Sequence, residues 1–116
     1  MTPHEEIFAA LGDLAEGRVF PGIADEGTAT PYVTFQIVGG APVNFVTGEK
    51  PARRFVRVQI NIWAGTSIEA FRLAAEVEDA LRSAVHLQAE DLGGARDDYD
   101  EVTKDRGAIQ EFMLFC

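Results

Sequence analysis

The 116-residue chain predicts an α+β domain in which two helices pack on a mostly antiparallel sheet of about four to five strands. Two observations carry this. From Val56 to Ile62 the apolar residues Val56, Val58, Ile60 and Ile62 alternate with Arg57, Gln59 and Asn61, the two-residue period of a half-buried strand, bracketed by Phe55 and Trp63. Within a few residues the period becomes helical. Ala70, Leu73, Ala74, Val77, Ala80, Leu81 and Ala84 then recur at three- and four-residue intervals, so a strand face and a helix stripe leave one turn ready to pack together.

The elements follow in order. Thr2, Pro3 and Glu5 read as N-cap, first helical position and reciprocal capping partner. Ile7, Ala10, Leu11 and Leu14 form the stripe of a short helix with Phe8 at its edge, ending near Gly12 or Gly17. Arg18 to Pro21 is long enough only for an edge strand, and the polar run from Gly22 to Thr30 is a loop. From Pro31, Val33, Phe35 and Ile37 alternate with Tyr32, Thr34 and Gln36 in a second strand. Gly39 to Ala52 lacks periodicity and is either a loop folded back on the sheet or a protruding arm, with Phe45 and Val46 lacking a local partner.

Thr66 with Glu69 forms a second capping box, opening the long helix. Gly93-Gly94 breaks the chain, Ala95 to Val102 is a polar strand or ribbon, Thr103 to Gly107 is a turn, and Ala108 to Cys116 returns as the final strand. The bulk of Phe112, Met113, Leu114 and Phe115 on both faces suits a strand covered by helix on one side and by a loop or another subunit on the other. No repeat or domain boundary interrupts residues 1–116, and a chain this long can bury a core unaided, so one domain is expected.

Charge excludes several functions. Nineteen acids against ten bases give a formal net charge of -9, the wrong balance for a protein whose affinity for nucleic acid must come from phosphate neutralisation. No run is apolar enough to span a bilayer, and Glu5 and Glu6 occupy the place where a secretory signal is basic, so cytoplasmic synthesis is expected. The charge is uneven. Lys50, Arg53, Arg54 and Arg57 lie within eight residues without an acid, whereas residues 86–106 hold seven acids and three bases.

Catalytic machinery is not visible. His4 and His86 have no second histidine at metal-binding spacing, and either is better read as a solvated or capping residue. Gly48-Glu49-Lys50 has part of a phosphate-loop ending, but Val43 stands where the upstream glycine is required and no Ser or Thr follows the lysine. Asp97, Asp98, Asp100, Glu101 and Asp105 lack the register and central glycine of a calcium loop. Ser67 and Ser83 suit the start and surface of a helix, and the single cysteine, Cys116, has no histidine near it in sequence. No enzyme, cofactor or metal is expected.

The segments Arg57-Val-Gln-Ile-Asn-Ile-Trp63-Ala64, Ser67-Ile-Glu69-Ala70 and Ala74-Ala-Glu-Val77-Glu-Asp-Ala80-Leu81 resemble the signature of small tail-completion proteins of long-tailed bacteriophages and prophages. Arg18-Val-Phe20-Pro21, Pro31-Tyr-Val-Thr-Phe35 and Gly39-Gly-Ala-Pro42-Val-Asn44 extend the resemblance over nearly the whole chain. It implies a structural protein that forms a ring at the head-proximal end of the tail, partnered by its own copies, tail-tube proteins and head-connector proteins. It also implies assembly in the bacterial cytoplasm and residence in the virion tail. A ring needs unlike patches that meet, and the basic run Lys50, Arg53, Arg54 and Arg57 facing Asp97, Asp98, Asp100 and Asp105 of a neighbour supplies a candidate interface, with Phe45 on the arm. The alternative is a small bacterial ligand-binding or accessory enzyme domain with its site near the Gly39–Ala52 loop.

Overall fold

In the computed structural model, which describes residues 2–41 and 46–116, both helices lie on one face of a six-stranded sheet. Helix α1 spans Pro3–Leu11 and α2 spans Ser67–Ser83. The strands are β1 (Val19–Pro21), β2 (Tyr32–Ala41), β3 (Phe55–Ala64), β4 (Glu90–Asp91), β5 (Arg96–Tyr99) and β6 (Arg106–Phe115). Their order is β1-β2-β3-β6, and the outer edge of β6 pairs with β4 and, further along, with β5. Among the described residues, β1 with β2 is the one parallel pairing.

The expected α+β class holds, with six strands instead of four to five because the edge beside β6 is broken in two. Gly93 and Gly94 interrupt it, and the Asp91 carboxylate accepts from both of their amides, at 2.9 and 2.7 Å. Sequence periodicity has no purchase on a two-residue strand such as Glu90–Asp91. A second difference is that β2 runs on to Ala41, beyond the expected start of the loop at Gly39. There the register slips between Ile37 and Gly39, and the bulge at Val38 lets the strand continue through glycines. Gly40 lies so close to β3 that a Cβ there would collide with the Phe55 carbonyl oxygen.

The caps form largely as their chemistry predicts. Thr2 and Glu5 make both halves of the box on α1. On α2 the Thr66 hydroxyl accepts from the Glu69 amide at 3.2 Å, but the reciprocal bond to the Glu69 carboxylate is not among the contacts of the described residues, so the box is half closed. Helix α1 stops at Leu11, and Leu14–Gly17 is a separate tight turn in which Ala15 and Glu16 take left-handed backbone angles; a 3-10 turn, Val85–Leu87, follows α2.

Val33 and Phe35 of β2 align with Ile62 and Ile60 of β3, which align in turn with Ala108 and Gln110 of β6. With Val58, Phe112 and Leu114 they form the sheet's apolar face. Ile7 and Leu11 of α1 and Ala70, Leu73, Ala74, Val77 and Leu81 of α2 bury against it in one core, so the expected union of the Ile60–Ile62 face with Val77 and Leu81 is present. Among the described residues the one polar side chain buried on this face is Gln110, 3% exposed, whose amide donates to the Glu78 carboxylate at 3.4 Å.

Candidate functional site

Among the described residues, the opposite face of the sheet bears no helix and is polar at its centre. Gln36 donates to the Gln59 side-chain oxygen at 2.9 Å, which also receives the Asn61 amide at 3.3 Å. Beside them Arg57 reaches diagonally across to Glu111 on β6, 2.8 Å from nitrogen to oxygen. Cationic Arg57 is therefore neutralised within its own sheet.

Arg53, the next member of the basic run, is more deeply committed. Its guanidinium donates to the carbonyl oxygens of Phe115 at 2.5 Å and His86 at 3.0 Å, and reaches the Glu6 carboxylate of α1 at 3.5 Å. It also lies 5.0 Å from the centroid of the Phe115 ring, which packs against Phe55 at 4.9 Å. One side chain thus ties the entry of β3 to α1, to the turn after α2 and to the end of β6. No local periodicity announces this, because all its partners are distant in sequence.

The basic run is accordingly not one patch. Among the described residues Lys50 and Arg54 make no ion pair, and both are exposed. Arg54 is nonetheless firmly placed, because its backbone exchanges hydrogen bonds with Cys116 at 2.8 and 2.9 Å. Beyond it, Val46, Thr47, Gly48 and Glu49 are exposed as well, Val46 completely. Phe45, the arm residue singled out in the sequence, lies outside the described residues.

The acidic residues divide in the same way. Asp100 folds the turn between β5 and β6, accepting the Val102 and Thr103 amides at 2.8 and 3.2 Å, and Asp98 accepts the Tyr99 amide at 2.8 Å. Register sets that turn at the end of the sheet where Tyr32 begins β2, and burial, and then the negative Asp105 and Asp100, push the Tyr32 hydroxyl pKa upward. Asp97 and Glu101 make no side-chain hydrogen bond or ion pair among the described residues. Asp97, Asp98 and Glu101 line an open cleft of about 560 Å³ with Ser67, Tyr99 and Arg106. The Arg106 guanidinium lies 4.2 Å from the Tyr99 ring centroid.

Register places these two groups at opposite ends of the molecule. Phe55 pairs with Phe115 at one end of β6, and Arg106, opposite Ala64 and Tyr99, stands at the other. Ten strand residues separate them by about 30 Å, so the basic and acidic clusters do not meet within one chain.

Among the described residues no cluster of three or more His, Cys, Asp or Glu side chains could hold a metal ion, and no helix is long and apolar enough to cross a membrane. Burial pushes the Cys116 thiol up to about 11, the Glu6 charge adding to the effect and Arg53 opposing it, so the thiol is poorly disposed to act as a nucleophile at neutral pH. A family model described as tail completion protein gp17 matches residues 4–114. No curated protein matches the chain.

Proposed function

The chain belongs to the tail completion protein gp17 family, and from that premise we propose that copies of it close the head-proximal end of a bacteriophage or prophage tail as a ring. Membership makes it a structural component of phage tails and not of a known enzyme family. The proposal adds the ring, its position and its neighbours: the tail tube on one side and the head connector on the other. Assembly takes place in the cytoplasm of the bacterial host, and the product resides in the virion tail.

The observation that carries the ring is the polarity of the subunit. Its two ends present unlike surfaces about 30 Å apart, one with exposed Lys50 and Arg54 and the other with exposed Asp97 and Glu101. Closed rings are built from contacts in which one patch meets a different patch on the next copy. The formal charge of -9 suits a component through which DNA must pass without sticking. The alternative of a small ligand-binding domain with its site near residues 39–52 receives no support from the family match.

Deleting the gene from the phage or prophage that carries it tests this reading. Filled heads and separate tails, rejoined when the protein is supplied, are expected in electron micrographs of the lysate. Normal virions formed without the protein overturn it.

A further inference from the structure

The geometry points to a specific contact between copies: the Lys50 and Arg54 side chains of one chain seat against the cleft lined by Asp97 and Glu101 at the far end of the next. The inference rests on the reading of the chain as a ring-building subunit and names the residues that join its copies. It sets aside half of the basic run. Arg53 and Arg57 are neutralised or hydrogen-bonded inside their own chain, whereas Lys50 and Arg54 are exposed without an ion pair among the described residues.

Charge complementarity chooses the occupant. The cleft beside Ser67 and Tyr99 holds three carboxylates, Asp97, Asp98 and Glu101, against the single guanidinium of Arg106, which is stacked on Tyr99. The surplus is negative, and cationic side chains on long apolar stems suit it. The two ends match in apolar character too: Val46, in the segment leading to Lys50, is fully exposed, and Val102 (90%) and Ile68 (67%), next in sequence to Glu101 and Ser67 of the cleft, are exposed as well. A charged pair flanked by apolar contact loses water on association, which strengthens it relative to an isolated surface pair. Because each end meets its opposite, the contact propagates in one direction and sets the register of the ring.

Sedimentation velocity on the full chain tests this with two reversals that break no hydrogen bond or ion pair described above. Lys50→Glu with Arg54→Glu makes the first variant, and Asp97→Lys with Glu101→Lys makes the second. Wild-type protein is expected to self-associate at millimolar concentration and low salt. Each variant alone is expected to associate at least about tenfold more weakly, because like charges now face each other. An equimolar mixture is expected to recover the wild-type association, since acidic ends then meet basic ends at every junction. Unchanged thermal melts identify both variants as folded. The inference is overturned if either variant associates like the wild type, if the folded variants fail to associate when mixed, or if the wild type stays monomeric at millimolar concentration. Each of those results leaves tail completion standing, whereas normal virions without the protein remove that reading on separate grounds.

Discussion

The Arg53 guanidinium stacks 5.0 Å from the Phe115 ring centroid while donating a hydrogen bond to that residue's carbonyl oxygen. The pair fastens the loop entering β3 to the far end of β6, and Glu6 and the His86 carbonyl extend the fastening to α1 and to the turn after α2. Arg53 is therefore expected to hold the subunit together. Arg53→Ala should lower stability by about 1–2 kcal/mol, the combined scale of a partly exposed cation on an aromatic ring and charged hydrogen bonds. Arg53→Lys should recover only part of that loss, since an ammonium cannot reach several carbonyls as a planar fork does. Urea melts of the two variants check the order.

Leu81, fully buried against the apolar face of the sheet, supplies the second prediction. Leu81→Ala should cost about 2–5 kcal/mol, from lost transfer energy and a residual cavity. A shift in the denaturant midpoint worth only a few tenths would place the residue outside the core.

Gly107 is held to glycine by the Trp63 ring across the strand pair. A Cβ there would stand 2.8 and 2.9 Å from two ring carbons and 3.0 Å from the Ile62 carbonyl oxygen. Gly107→Ala should destabilise the protein by about 1–3 kcal/mol through overpacking. Trp63 is the single tryptophan, so a red shift of its emission would report the displaced ring directly.

Asp91 should show its role in acid. The Gly94 and Gly93 amides, in that order, hold its carboxyl below the ordinary aspartate range, aided by Gln110 and Arg82. A carboxylate whose folded pKa is depressed adds stability above the unfolded value, about 3.9, and loses it as pH falls through the folded value. The difference between wild-type and Asp91→Asn urea midpoints should therefore be constant above about pH 5 and shrink below about pH 4. A difference that persists unchanged at lower pH would detach Asp91 from the β4–β5 corner.

Cys116 offers a chemical check. A buried thiol raised to about 11 should alkylate roughly 100-fold more slowly at pH 8 than the same thiol in urea, because so little thiolate is present. Mass spectrometry over a time course reads this at one site, since the chain contains one cysteine.

Much of this molecule is legible in its residues. The alternation of Val56 to Ile62, the stripe from Ala70 to Leu81, and the Thr2–Glu5 box are local patterns, and burying one side of each element forces the others to comply. Gln110 illustrates the boundary. In sequence it interrupts an apolar strand, and only the approach of Glu78 from α2 explains how it can be buried. Strand β4 is equally hidden, because two residues carry no period and its pairing depends on β6, whereas β5 lies within the polar ribbon expected from Ala95 to Val102.

The charged site divides along the same line. Residue order is enough to show that four cations cluster near residues 50–57, that acids crowd residues 97–105, and that the chain has the order and spacing of a tail-completion protein. Which of those charges remain available depends on the folded chain. Arg53 finds one carbonyl 33 residues away and another, with its ring, 62 residues away, Arg57 finds Glu111 on the neighbouring strand, and Lys50 and Arg54 are left facing water. The physical reason is range: helix and strand periods depend on neighbours within a few residues, whereas an ion pair depends on which distant strands the sheet has placed about 5 Å apart.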